Sequence, residues 1–141
     1  LEGMAGDAPA PARDAALAGG SERILVVEDD PQVRAGVVRQ LASLGYTVDE
    51  ASDGAAGLAA FAAASPPYDL LLTDVVMPGA LGGKTLADEV KRRWPQTPVV
   101  FMSGYNEEAV GSDGRLEAGI HLLAKPFRKR DLARMIRAVL T

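Results

Sequence analysis

The sequence has no cysteine and a single histidine among its 141 residues. Without cysteine the chain can form no disulfide bond, thiolate metal site or cysteine nucleophile, and one histidine cannot build a histidine-cluster metal site. A bound metal ion would therefore need oxygen ligands. The sequence also lacks an apolar stretch near the roughly 20 residues of a membrane span, and no charged and then apolar segment opens it. We expect a cytoplasmic protein without a membrane partner.

Positive charge is also scarce. The 15 lysines and arginines are outnumbered by 19 acidic residues, which gives a formal net charge of −4. Binding to a phosphate backbone needs a surplus of basic residues on one face, so we expect no nucleic-acid partner. The length fits one domain, at roughly 100–200 residues each.

The first 22 residues consist mainly of Ala, Gly and Pro with scattered charges and no apolar period. Such a segment buries too little surface to offset the entropy of ordering, and we interpret residues 1–22 as a disordered linker or expression remnant. The chain opens on Leu1, not Met, which suggests a fragment of a longer protein. We assign residues 23–141 to one folded domain.

Short apolar runs alternate with helix-period segments through the rest of the chain. The first helix shows typical signals, with Asp30 as a cap, Pro31 at the first position and Gly45 just past the end. A second cap is Asp53, whereas 106–119 contains glycines that predict a short or mobile fourth helix. Five βα units imply an α/β fold with a doubly wound, five-stranded parallel sheet, because parallel neighbours need helical crossovers. The predicted strands are 24–27, 46–51, 69–74, 99–102 and 120–124.

Polar side chains follow four of these strands. Glu28 and Asp29 come after the first, Asp74 after the third, Ser103 after the fourth and Lys125 after the fifth. Carboxyl ends of parallel strands meet at one edge of the sheet, where ligands bind in such folds. Carboxylates about 4 Å apart repel by about 4 kcal/mol at an effective dielectric near 20, so the acids need a cation. Oxygen ligands favour Mg²⁺ completed by phosphate oxygens.

Each of these residues has an ordinary explanation when it is taken alone. Strand-end acids can cap the next helix, as Asp30 is expected to do, and Lys125 before Pro126 could be a surface residue on a turn. The joint placement is what indicates a site for a metal-bound phosphoryl group. His121 lies inside an apolar strand, and we interpret it as a strand residue and not as a phosphate donor.

The ordered set resembles the receiver domain of two-component response regulators. The matching text covers 24–30, 71–78, Gly82, 101–104 and 125–127, and the resemblance spans 24–141. It implies the flavodoxin-like (βα)5 receiver fold and a cis bond between Lys125 and Pro126. The Ser-Gly-Tyr text at 103–105 and the segment 121–127 look most like receivers of hybrid histidine kinases.

The resemblance also implies the role of each site residue. Asp74 would be the phosphoacceptor, while Ser103 and Lys125 would contact the phosphoryl group. Mg²⁺ would be held by four groups, namely Asp29 directly, Glu28 largely through water, Asp74, and the backbone carbonyl of Val76.

The implied function is signalling by phosphorylation. A histidine kinase or a histidine phosphotransfer protein, in the same parent chain or separate, would supply the phosphoryl group in a phosphorelay. The domain would catalyse its own phosphorylation and dephosphorylation without being a turnover enzyme. One position departs from the family: Leu122 stands where an aromatic residue usually reports the switch. We therefore expect the switch to be expressed in 106–119.

Three other functions are less consistent with the sequence. A nucleotide hydrolase would need a phosphate-binding loop, and 79–85 resembles one, but Pro78 stands where its first glycine should lie. A phosphatase of the haloacid dehalogenase type would need Asp-x-Asp, whereas Val76 follows Asp74 by two. An interaction module of the same fold without phosphorylation would not need the full set of acids, hydroxyl and lysine.

Overall fold

The computed structural model describes residues 19–75, 82–103 and 121–140. These ranges contain five strands and four helices, and none of these helices has the length and apolarity to cross a membrane. The elements are β1 (Arg23–Val27), α1 (Pro31–Ser43), β2 (Thr47–Ala51), α2 (Gly54–Ala63), β3 (Leu70–Asp74), α3 (Gly83–Arg93), β4 (Val99–Ser103), β5 (His121–Ala124) and α4 (Lys129–Leu140).

The five strands form one parallel sheet in the order β2-β1-β3-β4-β5. This confirms the predicted doubly wound α/β fold. The chain reverses its direction of winding between β1 and β3, which lie side by side. Ligands in such sheets bind outside the carboxyl ends of the strands at this reversal point.

The apolar runs are continuous because both faces of the sheet are covered. Ile24 and Val26 pack in the core beneath α1 and α4, whereas Leu25 and Val27 pack in the core beneath α2 and α3. All four are 0% exposed. Burying one Val, Leu or Ile side chain fully stabilises the fold by roughly 1.5–3 kcal/mol. Burial of these side chains therefore holds the strands in place.

The predicted helix signals at the first two helices are confirmed. The Asp30 carboxylate accepts hydrogen bonds from the amides of Gln32 (2.9 Å) and Val33 (3.2 Å) and so caps α1. The carboxylate of Asp53 accepts one from Ala56 at 2.8 Å and caps α2. Gly45 follows α1 with φ of 101°, a left-handed conformation that disfavours a side chain.

The strand bounds differ slightly from the prediction. Asp69 lies just before β3, where its amide donates to the Arg23 carbonyl at 2.8 Å and its carboxylate accepts from the Arg23 amide at 2.9 Å. Residues 19–22 contact the domain: the Glu22 carbonyl accepts from Thr47 at 3.0 Å and its carboxylate pairs with Arg137 at 2.7 Å. Residues 1–18 of the predicted linker and the whole of 106–119 lie outside the described residues.

Candidate functional site

The carboxyl end of β1 carries the most constrained acidic residue. Glu28 directly follows the buried run Ile24–Val27 of β1, and its own side chain is only 2% exposed. Its amide donates to the Ala51 carbonyl at 3.1 Å, which extends the pairing with β2 by one residue. Its carboxylate accepts from the Asp30 amide at 3.0 Å and from the Lys125 ammonium at 2.9 Å. Glu28 is therefore fixed at both its backbone and its side chain.

Asp74 is the last residue of β3 and lies beside Glu28. Val27 pairs with Thr73 in the sheet, so Glu28 and Asp74 each come one position later on neighbouring strands. The side chain of Asp74 is 5% exposed. The amide of Val75 donates to the Met102 carbonyl at 3.1 Å and holds the end of β3 against β4.

The structure brings three of the predicted ligands together. One carboxylate oxygen each from Glu28, Asp29 and Asp74 lies within 4.8 Å of the others. Asp29 is exposed, whereas the other two are buried. Ionised carboxylates at such distances repel one another by several kcal/mol at an effective dielectric near 20. Positive charge placed beside the cluster lowers this repulsion.

Lys125 supplies part of that charge. Its ammonium lies 2.9 Å from Glu28 Oε1 and 3.3 Å from Asp74 Oδ1. Burial by itself lowers the pKa of Lys125, but the hydrogen bond that it donates to Glu28 and the charges of Asp74 and Glu28 outweigh burial, so its pKa is raised. The lysine is thus charged at neutral pH. One ammonium against three carboxylates still leaves an excess of negative charge.

Ser103 completes the set at the end of β4. It is buried, and its carbonyl accepts from the Lys125 amide at 2.8 Å, so these two residues approach each other through the backbone. The Lys125–Pro126 bond is cis, which confirms that prediction. Ser103 also follows Met102, which pairs with Asp74. Val76, whose carbonyl was predicted as a ligand, lies outside the described residues.

Two residues that the sequence reasoning did not single out also shape the site. Arg34 on α1 donates to the Glu28 carbonyl at 2.8 Å. Gly83, the first residue of α3, packs so closely on β3 that an added Cβ would overlap the Asp74 carbonyl oxygen. Only the spacing of Arg34, four residues after the predicted Asp30 cap, could have hinted at a role, and nothing in the text separates Gly83 from Gly82.

The donor set fits a hard divalent cation. It offers carboxylate oxygens only, two of the three residues are buried, and Mg²⁺ typically takes one or two carboxylates and keeps several waters. The excess negative charge beside a single ammonium agrees with a divalent partner.

Comparison with known proteins places this geometry in context. The family model described as the response regulator receiver domain matches residues 24–137. Sensor kinase CckA of Brucella abortus is 37% identical over 99% of this chain and 15% of its own length. The response regulator receiver protein CpdR of the same organism is 34% identical over 84% of this chain and 97% of its own length.

A solved structure agrees with these relatives. The receiver domain of the hybrid histidine kinase CckA superimposes with a TM-score of 0.69 at 38% identity, over 84% of this chain and 99% of that one. The chain thus covers 97% of the length of CpdR but only 15% of the length of the sensor kinase.

Proposed function

The chain belongs to the response regulator receiver domain family of two-component systems, and from that premise we propose that it accepts a phosphoryl group on Asp74. The observation that carries the proposal is the convergence of Asp74, Glu28 and Lys125 from three separate strand ends. Such a set is expected where a carboxylate serves as a nucleophile towards phosphorus.

The proposed step is a simple displacement. A carboxylate oxygen of Asp74 attacks the phosphorus of a phosphohistidine, the new O–P bond forms as the N–P bond breaks, and the electron pair stays on the imidazole nitrogen. The product is an acyl phosphate on Asp74. Lys125, 3.3 Å from Asp74 Oδ1, favours the ionised carboxylate that this attack requires.

Glu28, Asp29 and Asp74 are the residues that would hold Mg²⁺, together with the Val76 carbonyl. When bound, the ion would neutralise charge on the phosphoryl oxygens. Lys125 and Ser103 would bind the remaining phosphoryl oxygens from the other side, with the lysine acting as a point charge and the serine as a hydroxyl donor. Catalysis would rest on positioning and electrostatics.

The proposed phosphate donor is a histidine kinase or a histidine phosphotransfer protein in the cytoplasm. The similarity to the sensor kinase CckA supports a donor in the same parent chain, and the similarity to CpdR supports a separate one. In either case the domain would speed its own phosphorylation and dephosphorylation and pass the signal on by altered protein contacts.

Asp74→Asn tests the assignment. With Mg²⁺ and a radiolabelled small acyl phosphate, wild type should incorporate label that alkali releases, because acyl phosphates hydrolyse in base. The Asp74→Asn variant should incorporate none, since the amide is a poor nucleophile. Asp69→Asn is the matched control, because Asp69 is exposed and lies at the other end of β3. Labelling of Asp74→Asn at wild-type stoichiometry would refute the proposal.

A further inference from the structure

We propose that Arg34 is a positioning residue for the metal ligands Glu28 and Asp29, an inference that rests on the proposed Mg²⁺ site. Arg34 lies in the first turns of α1 and its side chain is 20% exposed. It is not part of the carboxylate cluster itself. Its effect would pass through the backbone of the turn that carries two of the three acids.

The guanidinium of Arg34 joins three segments of chain. Nη1 donates to the backbone carbonyl of Glu28 at 2.8 Å, and Nε donates to the Glu50 carboxylate on β2 at 2.9 Å. The Arg34 amide in turn donates to the Asp30 carbonyl at 2.9 Å. The turn between β1 and α1 is thereby tied to the neighbouring strand through one planar group.

The position of the Glu28 carbonyl limits where Asp29 can lie. That carbonyl belongs to the planar peptide group between the two residues, so fixing its direction fixes the position of the Asp29 nitrogen and Cα, from which the side chain departs. The Glu28 amide is held by the Ala51 carbonyl at 3.1 Å, directly after Glu50. Asp29 is exposed, so the contacts of the turn constrain its position through the backbone.

Lysine could not take the place of Arg34. Arg34 uses two N–H donors at a fixed separation, one to a carbonyl and one to a carboxylate. The planar guanidinium of arginine provides both. A lysine ammonium keeps the charge but is a single point on a flexible stem. Arg34→Lys therefore separates the effect of geometry from the effect of charge.

Charge and positioning predict opposite results for Mg²⁺ binding. If Arg34 acted only through its positive charge, removing it would strengthen Mg²⁺ binding, because a cation beside an acidic site repels another cation. If Arg34 positions the ligands, removing it would weaken Mg²⁺ binding. Residues that orient metal ligands typically contribute about 10–100-fold in metal affinity when mutated.

The test is a calorimetric titration of the full chain with Mg²⁺ alone. We expect a dissociation constant raised about tenfold in both Arg34→Gln and Arg34→Lys. Arg39→Gln is the matched control, because it removes the same charge from an exposed position of the same helix, and it should bind Mg²⁺ like wild type. Equal or tighter binding by Arg34→Gln, or wild-type binding by Arg34→Lys, would overturn the inference.

Two further variants keep the result decisive. Glu50→Gln removes the charge of a half-exposed partner of Arg34 and should weaken Mg²⁺ binding less, in the same direction. If a urea titration shows that Arg34→Gln is unfolded, an unchanged Mg²⁺ affinity in Glu50→Gln overturns the inference.

Asp29→Asn separates the two proposals. If Asp29→Asn binds Mg²⁺ like wild type, both the proposed metal site and the proposed role of Arg34 are wrong. If it loses Mg²⁺ while Arg34→Gln does not, only the role of Arg34 fails.

Discussion

Individual acids at the carboxyl edge differ in how much freedom the fold leaves them. Glu28 has both carboxylate oxygens engaged, by the Asp30 amide and the Lys125 ammonium, whereas Asp29 is exposed. A buried carboxylate is stable only when it is paired and hydrogen-bonded, which is the condition that Glu28 meets. The site thus combines a fixed acid with one that can adjust towards an incoming cation.

A titratable group away from the carboxylate cluster, the phenol of Tyr68, allows a test by pH. The Tyr68 hydroxyl donates to Asp49 at 2.6 Å, and the Arg23 guanidinium lies 4.8 Å from the ring centroid. Burial first, and then the hydrogen bond and negative charge of Asp49, raise the pKa of Tyr68 to about 12 against the opposing charge of Arg23.

Because this pKa is raised from its ordinary value of 10.0, the contribution of Tyr68 to stability is complete below pH 10 and is lost as the pH rises towards 12. The difference in free energy of unfolding between wild type and Tyr68→Phe should therefore fall between about pH 10 and 12. Urea titrations at several pH values measure it. A difference that stays constant up to pH 12, or a Tyr68 phenol that titrates at its ordinary value by NMR, would contradict this prediction.

Among the helices, α3 limits the position of Asp74, because its first residue packs against the Asp74 backbone. Its first residue, Gly83, donates its amide to the Val75 carbonyl at 3.0 Å. A Cβ at this position would overlap the Asp74 carbonyl and lie 2.8 Å from the Val75 carbonyl oxygen. The helix therefore begins in direct contact with the backbone of the strand that carries Asp74.

Gly83→Ala should lower the free energy of unfolding by about 1–3 kcal/mol, because either α3 or the end of β3 must shift. The matched control is Gly36→Ala in α1, where an added Cβ meets nothing within 4 Å. There alanine should raise the free energy of unfolding by about 0.5–1 kcal/mol through helix propensity. Urea unfolding of both variants gives the comparison. A Gly83→Ala variant as stable as wild type would show that α3 moves without cost.

At the scale of the whole molecule, the site exists only when the sheet is assembled. Glu28 and Lys125 are 97 positions apart in sequence, and they follow β1 and β5, which have β3 and β4 between them in the sheet. The unfolded chain cannot bring such groups together. A ligand that needs all of them therefore binds the folded state alone and stabilises it by mass action.

Mg²⁺ with beryllofluoride, which mimics a phosphoryl group on an aspartate, should raise the free energy of unfolding of wild type. At a concentration 100 times the dissociation constant the gain is about 2.7 kcal/mol. Asp74→Asn should show no gain beyond that of Mg²⁺ alone, because the carboxylate that accepts the mimic is gone. Thermal unfolding with and without fluoride measures this, and an equal gain in both proteins would place the mimic elsewhere.

The sequence by itself determined the α/β class, the caps at Asp30 and Asp53, and the set of residues at the strand ends. It could do so because these features depend on local periodicity, and because parallel strands joined by helices place their carboxyl ends on one edge. The acidic residues therefore had to lie at the same edge of the sheet, whatever the direction of each side chain.

Only the tertiary structure decided which atoms touch. The bridge of Lys125 to both Glu28 and Asp74, the hydrogen bonds of Arg34 to Glu28 and Glu50, and the close approach of Gly83 to Asp74 join residues of different elements of the fold. Hydrogen bonds and steric contacts depend on distances of a few tenths of an ångström, which are set by how helices seat on the sheet. No pattern along the chain encodes that seating residue by residue.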